Sequence, residues 1–364
     1  MGTPVKIIQS VPRKNYWING GFHIWQRNTS VALSGASTAS YVADRARTTL
    51  DGTTAAKNIT CSQNADVPSF LQSRSSLPWS YNVNFNAALA SPAATDSILT
   101  LVYLMEGVDF IDLYAAGKCT IEFWVKSNVA GPFSWDAAVF STNLGQRNIG
   151  ASYEYTAGEV NTWVRRTITI SFESGLVIPA DNQLRFGISL CNTLIGSSRI
   201  YSAPNTWSPT DNSGIAGTTN LHAASGNFIR FAGAMIYPGD PRPDYSFILS
   251  GGGAIQSEVL QCMRYYQRNF ALNAEGVAIN AGEAVLTFKT HVPMRANPAL
   301  ALAPGSTYAS ALDETGISPR TPTSFVTSGV TNTGFGIIFS GMTGLTVNRS
   351  MRLTSDLLQA DAEL

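Results

Sequence analysis

Short runs of alternating apolar and polar residues, each closed by turn-forming residues, constrain this chain more than any other feature. In residues 119–126, Cys119, Ile121, Phe123 and Val125 share one face, with Glu122, Trp124 and Lys126 on the other. In 167–172, Ile168, Ile170 and Phe172 alternate with Thr167, Thr169 and Ser171. In 184–190, Leu184, Phe186, Ile188 and Leu190 alternate with Arg185, Gly187 and Ser189. A strand points successive side chains to opposite faces, so each run reads as a β-strand with one buried face. Gly, Pro, Asn or Asp flanks every run and turns the chain. Many such strands at short spacing predict a mainly β protein built on a sandwich or jelly roll. The low charge content agrees: only 13% of the 364 residues are charged, and short polar residues and 31 glycines take their place. That exchange removes the Lys and Glu side chains that favour helices.

The pattern breaks once. After YPGDPRPDYSF (237–247) comes SGGG (250–253), the most linker-like stretch, and then AIQSEVLQCMRYYQRN (254–269). There Ile255, Val259, Met263 and Tyr266 recur at spacings of four, four and three, which predicts a short helix. Alternation resumes at Ala284. The expected organisation is an N-terminal arm (1–15), a sandwich domain (16–248), a linker and helix (249–269), and a smaller C-terminal β domain (270–364). At that size the last domain is expected to lean on partner subunits. Asn19-Gly20-Gly21 is expected to supply positive φ for a turn into a strand led by Phe22 and Trp25. Trp17 and Trp25 are expected in the sandwich core, and Pro238, Pro241 and Pro243 are expected to stiffen its exit.

Lys+Arg and Asp+Glu both number 24, so the chain lacks the basic excess with which proteins displace counterions from nucleic acid. The start shows no apolar run of a secretory leader, and the longest apolar window, 98–105, is too short to span a bilayer. Folding in a cytoplasm without membrane insertion is the expectation. It fits Cys61, Cys119, Cys191 and Cys262, which are widely spaced and expected as reduced core residues. His23, His222 and His291 show no ligand spacing, so neither a metal nor a cofactor is expected. Asp109, Asp112, Glu154 and Glu159 show no pairing of the kind glycan cleavage needs, and no nucleophile motif is present. The expectation is a binding protein rather than an enzyme.

Sugar-binding proteins stack aromatic rings on pyranose faces and bond hydroxyls with amides and carboxylates, using loops on a rigid scaffold. The loop 201–227 is long and polar and carries Tyr201, Asn205, Trp207, Asp211 and Asn212. These are candidate ligand-binding residues; the competing expectation is that the loop packs against a neighbouring subunit. Trp124, between Glu122 and Lys126, is a further candidate, or is covered by another segment. Trp79 and Trp135 also lie in polar surroundings, with no spacing that selects either.

Several motifs resemble a family of bacteriophage tail-fibre and tail-appendage proteins. NYWINGGFHIWQRN (15–28) looks like that family's opening strand, and YVADRAR (41–47) resembles its Tyr-x-x-Asp-Arg-Trp element, with Ala46 where Trp is usual. EFWVKSNVAG (122–131), NTWVRRTITI (161–170) and FIRFAGAMIYPGDPRPDYSF (228–247) are similar to strands of its jelly roll. LQCMRYYQR (260–268), FKTHVPMRANPAL (288–300) and DAEL (361–364) resemble its C-terminal domain. The resemblance implies a homotrimeric virion protein of the tail, assembled in the host cytoplasm, with a carbohydrate-binding-like (galactose-binding-like) jelly roll. Its implied partners are other virion proteins and a bacterial surface polysaccharide. A structural adaptor or decorating fibre docked through residues 1–15, and a glycan depolymerase, are the alternatives. Jelly rolls of this kind often hold a calcium near the last strand, but Ala232 and Ala234 stand where an acidic side chain is usual.

Overall fold

The computed structural model describes residues 14–242, 246–250, 252–268, 274–303, 306–307, 312–314, 319–353 and 357–364. Of the N-terminal arm only Lys14 and Asn15 fall within them, and Pro243 lies outside. The first part of the chain forms β1 (Ser30–Ser34), β2 (Thr38–Tyr41), β3 (Arg47–Asp51), β4 (Asn58–Asn64), β5 (Ser80–Phe85) and β6 (Ser97–Glu106). It continues with β7 (Lys118–Ser127), β8 (Gly131–Ser141), β9 (Gly145–Tyr155), β10 (Val164–Ser171), β11 (Leu184–Thr193) and β12 (Phe228–Pro238). Two six-stranded antiparallel sheets result, one ordered β1-β4-β5-β12-β7-β10 and the other β2-β3-β6-β11-β8-β9. The chain passes repeatedly from one sheet to the other, the wiring of a jelly-roll sandwich.

The predicted alternation sets the core. Cys119, Ile121, Phe123 and Val125 from one sheet meet Phe186, Ile188 and Leu190 from the other, with Trp17 stacked on Tyr103 at 4.7 Å. All four cysteines are buried and unbridged. The expected strand from Phe22 to Asn28 is not formed; residues 14–29 run as turns and irregular chain. Positive φ there belongs to Asn19 (59°) and Phe22 (52°), not to the glycines. Gly20 is required for a different reason: a Cβ on it would stand 1.9 Å from the carbonyl oxygen of Ala234 on β12.

A helix that the pattern did not predict, Gly107–Ala115, follows β6. The expected helix spans Ile255–Met263, with Tyr266–Gln267 already in a strand. Its inward face differs from the expected stripe. Glu258, Cys262 and Tyr265 are buried, whereas Ile255 is 38% exposed. The buried acid turns the helix: the Glu258 carboxylate accepts the backbone N–H of Asn19 and the Ser250 hydroxyl. Beyond it lie β13 (Tyr266–Gln267), β14 (Ala274–Ala278), β15 (Ala284–Lys289), β16 (Ala299–Leu302), β17 (Leu312–Glu314) and β18 (Pro319–Arg320). The last strands are β19 (Ser324–Thr331), β20 (Gly334–Ser340), β21 (Ser350–Leu353) and β22 (Leu358–Asp361). They form a three-stranded sheet, β13-β22-β16, and a seven-stranded one, β18-β17-β21-β14-β15-β20-β19. Phe288, Phe335, Ile337 and Phe339 lead the core of the larger sheet.

The two parts are joined by paired charges. Arg27 bonds Asp361 at 2.5 Å and Glu363 at 3.3 Å, and Arg45 also bonds Glu363. Both guanidiniums lie over rings of the second part, Arg45 over Tyr265 at 3.6 Å and Arg27 over Tyr266 at 3.9 Å. Glu106, fully buried, receives Arg264 at 2.7 Å and Arg295 at 2.8 Å. The segments 15–28, 41–47, 260–268 and 288–300 and the terminal DAEL all contribute to this junction.

Candidate functional site

Each sheet of the sandwich has a non-core face, and in both cases a chain segment covers much of it. On the β7 side, Trp124 is 7% exposed and packs with Trp163, Met235, Tyr237 and Phe247. The segment that leaves β12 folds back here, with the Ile248 N–H on the Met235 sulfur at 3.4 Å. Asp66 pins the neighbouring surface, accepting from Lys126 at 2.7 Å, from Trp163 Nε1 at 3.0 Å and from Arg230. These donors hold its carboxyl below the usual carboxylate range despite partial burial.

The loop after β11 covers the corresponding face of β8 and β9. Tyr201 is 4% exposed and sits on Gly150, where a Cβ would lie 2.4 Å from the ring. Asn212 is also buried. The Ile215 N–H reaches Ser134 Oγ at 3.0 Å, and Asn192 donates to Asp136 and to the Ser213 carbonyl. Burial under this loop pushes the Asp136 carboxyl up to about 7, with Asp211 adding to the rise and Asn192 opposing it. Asp211 itself is exposed and pairs with Arg199 at 3.2 Å. Trp207 is half-buried against the core and donates from Nε1 to the Ser171 carbonyl at 2.9 Å. Of the six candidates, Trp124 is therefore on one face of the sandwich and the other five are on the loop across the opposite sheet. Tyr201 and Trp207 hold that loop down, and Asn212 is buried within it.

Asn205 is the exception, because it borders a slot that spacing along the chain did not reveal. The slot lies where β9 and β10, the free edges of the two sheets, face each other. It is an open depression of about 180 Å³ lined by Trp135, Ala151, Ser152, Tyr153, Thr167, Ile168, Thr169 and Asn205. Hydrogen-bond alternation shows which backbone groups face it. On the outer edge of β9, Asn148 exchanges two 2.8 Å bonds with Ser208, and the Gly150 carbonyl accepts Asn205 N–H at 2.9 Å. Alternate residues of an antiparallel strand face the same side, so the N–H and C=O of Ser152 face that edge too. On β10, Phe172 N–H bonds Gly117 next to β7, while the Ser171 carbonyl takes Trp207 from the other side. By the same alternation Thr167 and Thr169 turn their backbone groups toward the slot.

Both ends of the slot are stopped. At one, the loop lies on Gly150 and Ser171. At the other, Arg166 on β10 donates from Nε and Nη2 to the Glu154 carbonyl on β9 at 2.9 and 2.7 Å, and to Glu159 at 2.6 Å. Gly150 and Glu154 are four residues apart, about 13 Å of strand. No charged residue lines the slot. It offers N–H donors, C=O acceptors and one amide over a floor that includes Trp135 and Ile168. The sequence signal was faint: Thr167 and Thr169 read only as the polar partners of Ile168 and Ile170.

Three of the four acidic residues considered for catalysis are held by other side chains. Asp109 pairs with Lys14 at 3.0 Å, Asp112 accepts the Tyr16 hydroxyl, Glu159 pairs with Arg166, and Glu154 is exposed. Among the described residues no group of three or more His, Cys, Asp or Glu could hold a metal ion, and no helix is long and apolar enough to cross a membrane. On the seven-stranded sheet, Val277, Val285, Ile338 and Val326 stand opposite one another across β14, β15, β20 and β19. That row lies on the face away from the core, with Val277 39% and Val326 59% exposed.

Neither a family model nor a curated protein matches this chain. Among solved structures, similarity extends to the enzymatically active domain of tailspike protein 4 of bacteriophage CBA120, at 13% identity and a TM-score of 0.27. That match covers 61% of this chain and 21% of the other, so the chain spans about a fifth of the tailspike's length. The CBM22-1 xylan-binding domain of Paenibacillus barcinonensis Xyn10C matches at 9% identity and a TM-score of 0.28, over 59% of this chain and 99% of its own. A family 11 carbohydrate-binding module from Clostridium thermocellum matches at 12% identity and a TM-score of 0.25, over 58% and 89% respectively.

Proposed function

We propose that this chain is a phage virion protein of the tail, a homotrimeric fibre or appendage component that binds a bacterial surface glycan and does not cleave it. The observation that carries glycan binding is the edge slot. Its donors and acceptors are intermixed and uncharged, and sugar hydroxyls act as both donor and acceptor. An incoming peptide strand fits poorly, because β9 leaves only Ser152 free between the loop contact at Gly150 and the Arg166 contact at Glu154. The virion assignment rests on the family-like motifs, five of which contribute to the junction between the two parts of the chain. The engagement of Asp109, Asp112 and Glu159 by Lys14, Tyr16 and Arg166 supports binding without cleavage.

The test is pull-down of the purified protein by Gram-negative and Gram-positive cells and by their extracted polysaccharides, with reducing-end release followed in the same tubes. Binding without release, lost in Ser152→Trp, is the expected outcome. Release of reducing ends would make the protein a depolymerase. Absence of binding by folded protein would remove the glycan reading.

A structural adaptor role is the second reading, and the apolar row on the C-terminal sheet favours it. Large exposed apolar patches mark protein contacts, and three copies of the chain or another virion protein would cover this one. Val326→Lys is expected to lower the solution mass to that of one chain if the row joins copies.

A further inference from the structure

We infer that the edge slot recognises a single uncharged sugar at a chain end or branch tip, rather than a stretch within a polysaccharide chain. This rests on the glycan-binding reading above and narrows it. The length of the slot decides the matter. A glycan bound along its interior must enter a groove at one end and leave at the other, and here both exits are blocked by groups already committed to each other.

At the first end, Asn205 N–H is bonded to Gly150 and Trp207 Nε1 to Ser171, so the loop ties β9 to β10. At the second, the Arg166 guanidinium bonds Glu154 O and Glu159 and also the Arg165 carbonyl. Displacing Arg166 would leave an ion pair and three carbonyl contacts unmade, which costs more than one sugar hydroxyl returns. Between the stops, only Ser152 of β9 presents backbone groups not bonded to the loop or to Arg166. That free edge, about 7 Å from residue 151 to residue 153, matches one ring rather than a run of them. The remaining units of a longer glycan must therefore project out of the open side into water.

The charge preference follows from the lining. Ser152, Thr167, Thr169 and Asn205 are uncharged, and the nearest cation, Arg166, is already paired with Glu159. A uronic or sialic acid carboxylate would lose hydration with no free cation in the lining to receive it. A neutral hexose or deoxyhexose meets no such penalty.

The experiment titrates the full chain with neutral gluco-, galacto- and manno-oligosaccharides of one to six units. Each is offered free and with its non-reducing terminal hydroxyls methylated, and glucuronic acid oligomers are run beside them. The expected result is an affinity that stops rising by the second unit, falls at least tenfold on terminal methylation, and is at least tenfold weaker for the acidic series. Arg166→Ala, which opens one end, is expected to let affinity climb further with length. If affinity climbs steadily to six units in the unmodified protein and ignores terminal methylation, the end-recognition inference is overturned while glycan binding stands. Preference for the acidic series overturns the neutral-sugar assignment. No binding to any member of the ladder, with Ser152→Trp indistinguishable from the unmodified protein, removes the glycan reading itself. Should Arg166→Ala fail to fold, the length and methylation series still decide.

Discussion

The junction between the two parts of the chain and the slot at the sandwich edge solve opposite problems. The junction buries charge: Arg45 is 1% exposed and Glu106 fully buried, and each has ionic and hydrogen-bonding partners. The slot contains no charge, and the backbone groups of Ser152, Thr167 and Thr169 face open space. A buried ion is tolerated only when it is paired, and the junction arginines and their carboxylate partners are each held in an ion pair. Recognition needs the reverse, polar groups held in place by the fold but left without internal partners. Five of the family-like motifs belong to the first kind of region, whereas 161–170 supplies Thr167 and Thr169 to the second.

The largest effect should come from removing one partner at the junction. Arg45→Ala leaves Glu363 only its 3.3 Å contact with Arg27, deprives the Leu104 carbonyl of a donor and removes the cation over the Tyr265 ring, at a cost of about 3–5 kcal/mol. Chemical denaturation should show the loss directly, and Thr167→Ala at the slot rim should stay within about 0.5 kcal/mol of the unmodified protein. Equal losses at both positions would erase the contrast.

Next come the aromatic residues that spacing and composition offered as ligand contacts. Trp124→Ala opens a void beneath Phe247, and Tyr201→Ala one above Gly150; each should cost about 3 kcal/mol or more. Glycan binding, measured where the variants remain folded, should be unchanged. A binding loss without destabilisation would return Tyr201 or Trp124 to the site.

These residues show how far the sequence could be read. The sandwich was legible because its strands repeat every two residues, and that period survives whatever packs outside. The helix was legible as a helix but not in its orientation, since an apolar stripe cannot anticipate a buried acid such as Glu258 held by Asn19 and Ser250. The opening strand failed because Gly20 serves the close approach of Ala234, a contact between residues more than two hundred positions apart. Aromatic side chains on a polar loop look alike whether they face solvent or hold the loop down, which is why Tyr201 and Trp207 could not be sorted. The slot is formed by Asn205, which the polar loop had offered as a candidate, and by Trp135, Ser152 and Thr169, which nothing in their spacing selected. Only the placement of two unpaired edges brings them together.

A smaller effect separates the two regions by pH. Burial pushes the Asp44 carboxyl, at the junction beside Arg27, up to about 7, with the bonds from Gln26 opposing the rise. Its folded value lies above the ordinary value of 3.8, so the folded state holds the proton more tightly. The stabilisation from this group is complete below that ordinary value and is lost as pH rises through about 7. Asp44→Asn should therefore gain on the order of 1–2 kcal/mol at pH 8 relative to pH 5. Denaturation midpoints at the two pH values test it, and a gap between the variants that does not change with pH would contradict the assignment.

The smallest effect on stability should accompany a clear effect on binding. Asn205 has φ 58°, a left-handed conformation that glycine adopts without strain. Asn205→Gly therefore keeps the backbone bond to Gly150 and the closed end of the slot, and removes only the amide at the rim. Stability should stay within a few tenths of a kcal/mol, because no packed side chain is lost. A hydrogen bond to a sugar hydroxyl is worth about 1 kcal/mol, so affinity for a neutral glycan should fall roughly fivefold. Fold and site are then separated at one residue, since the backbone of Asn205 serves the fold and its side chain serves the ligand. If Asn205→Gly bound glycan as tightly as the unmodified protein while Thr169→Trp abolished binding, the slot would stand and the amide would have no part in it. If neither change affected binding, the glycan site would lie elsewhere on the molecule.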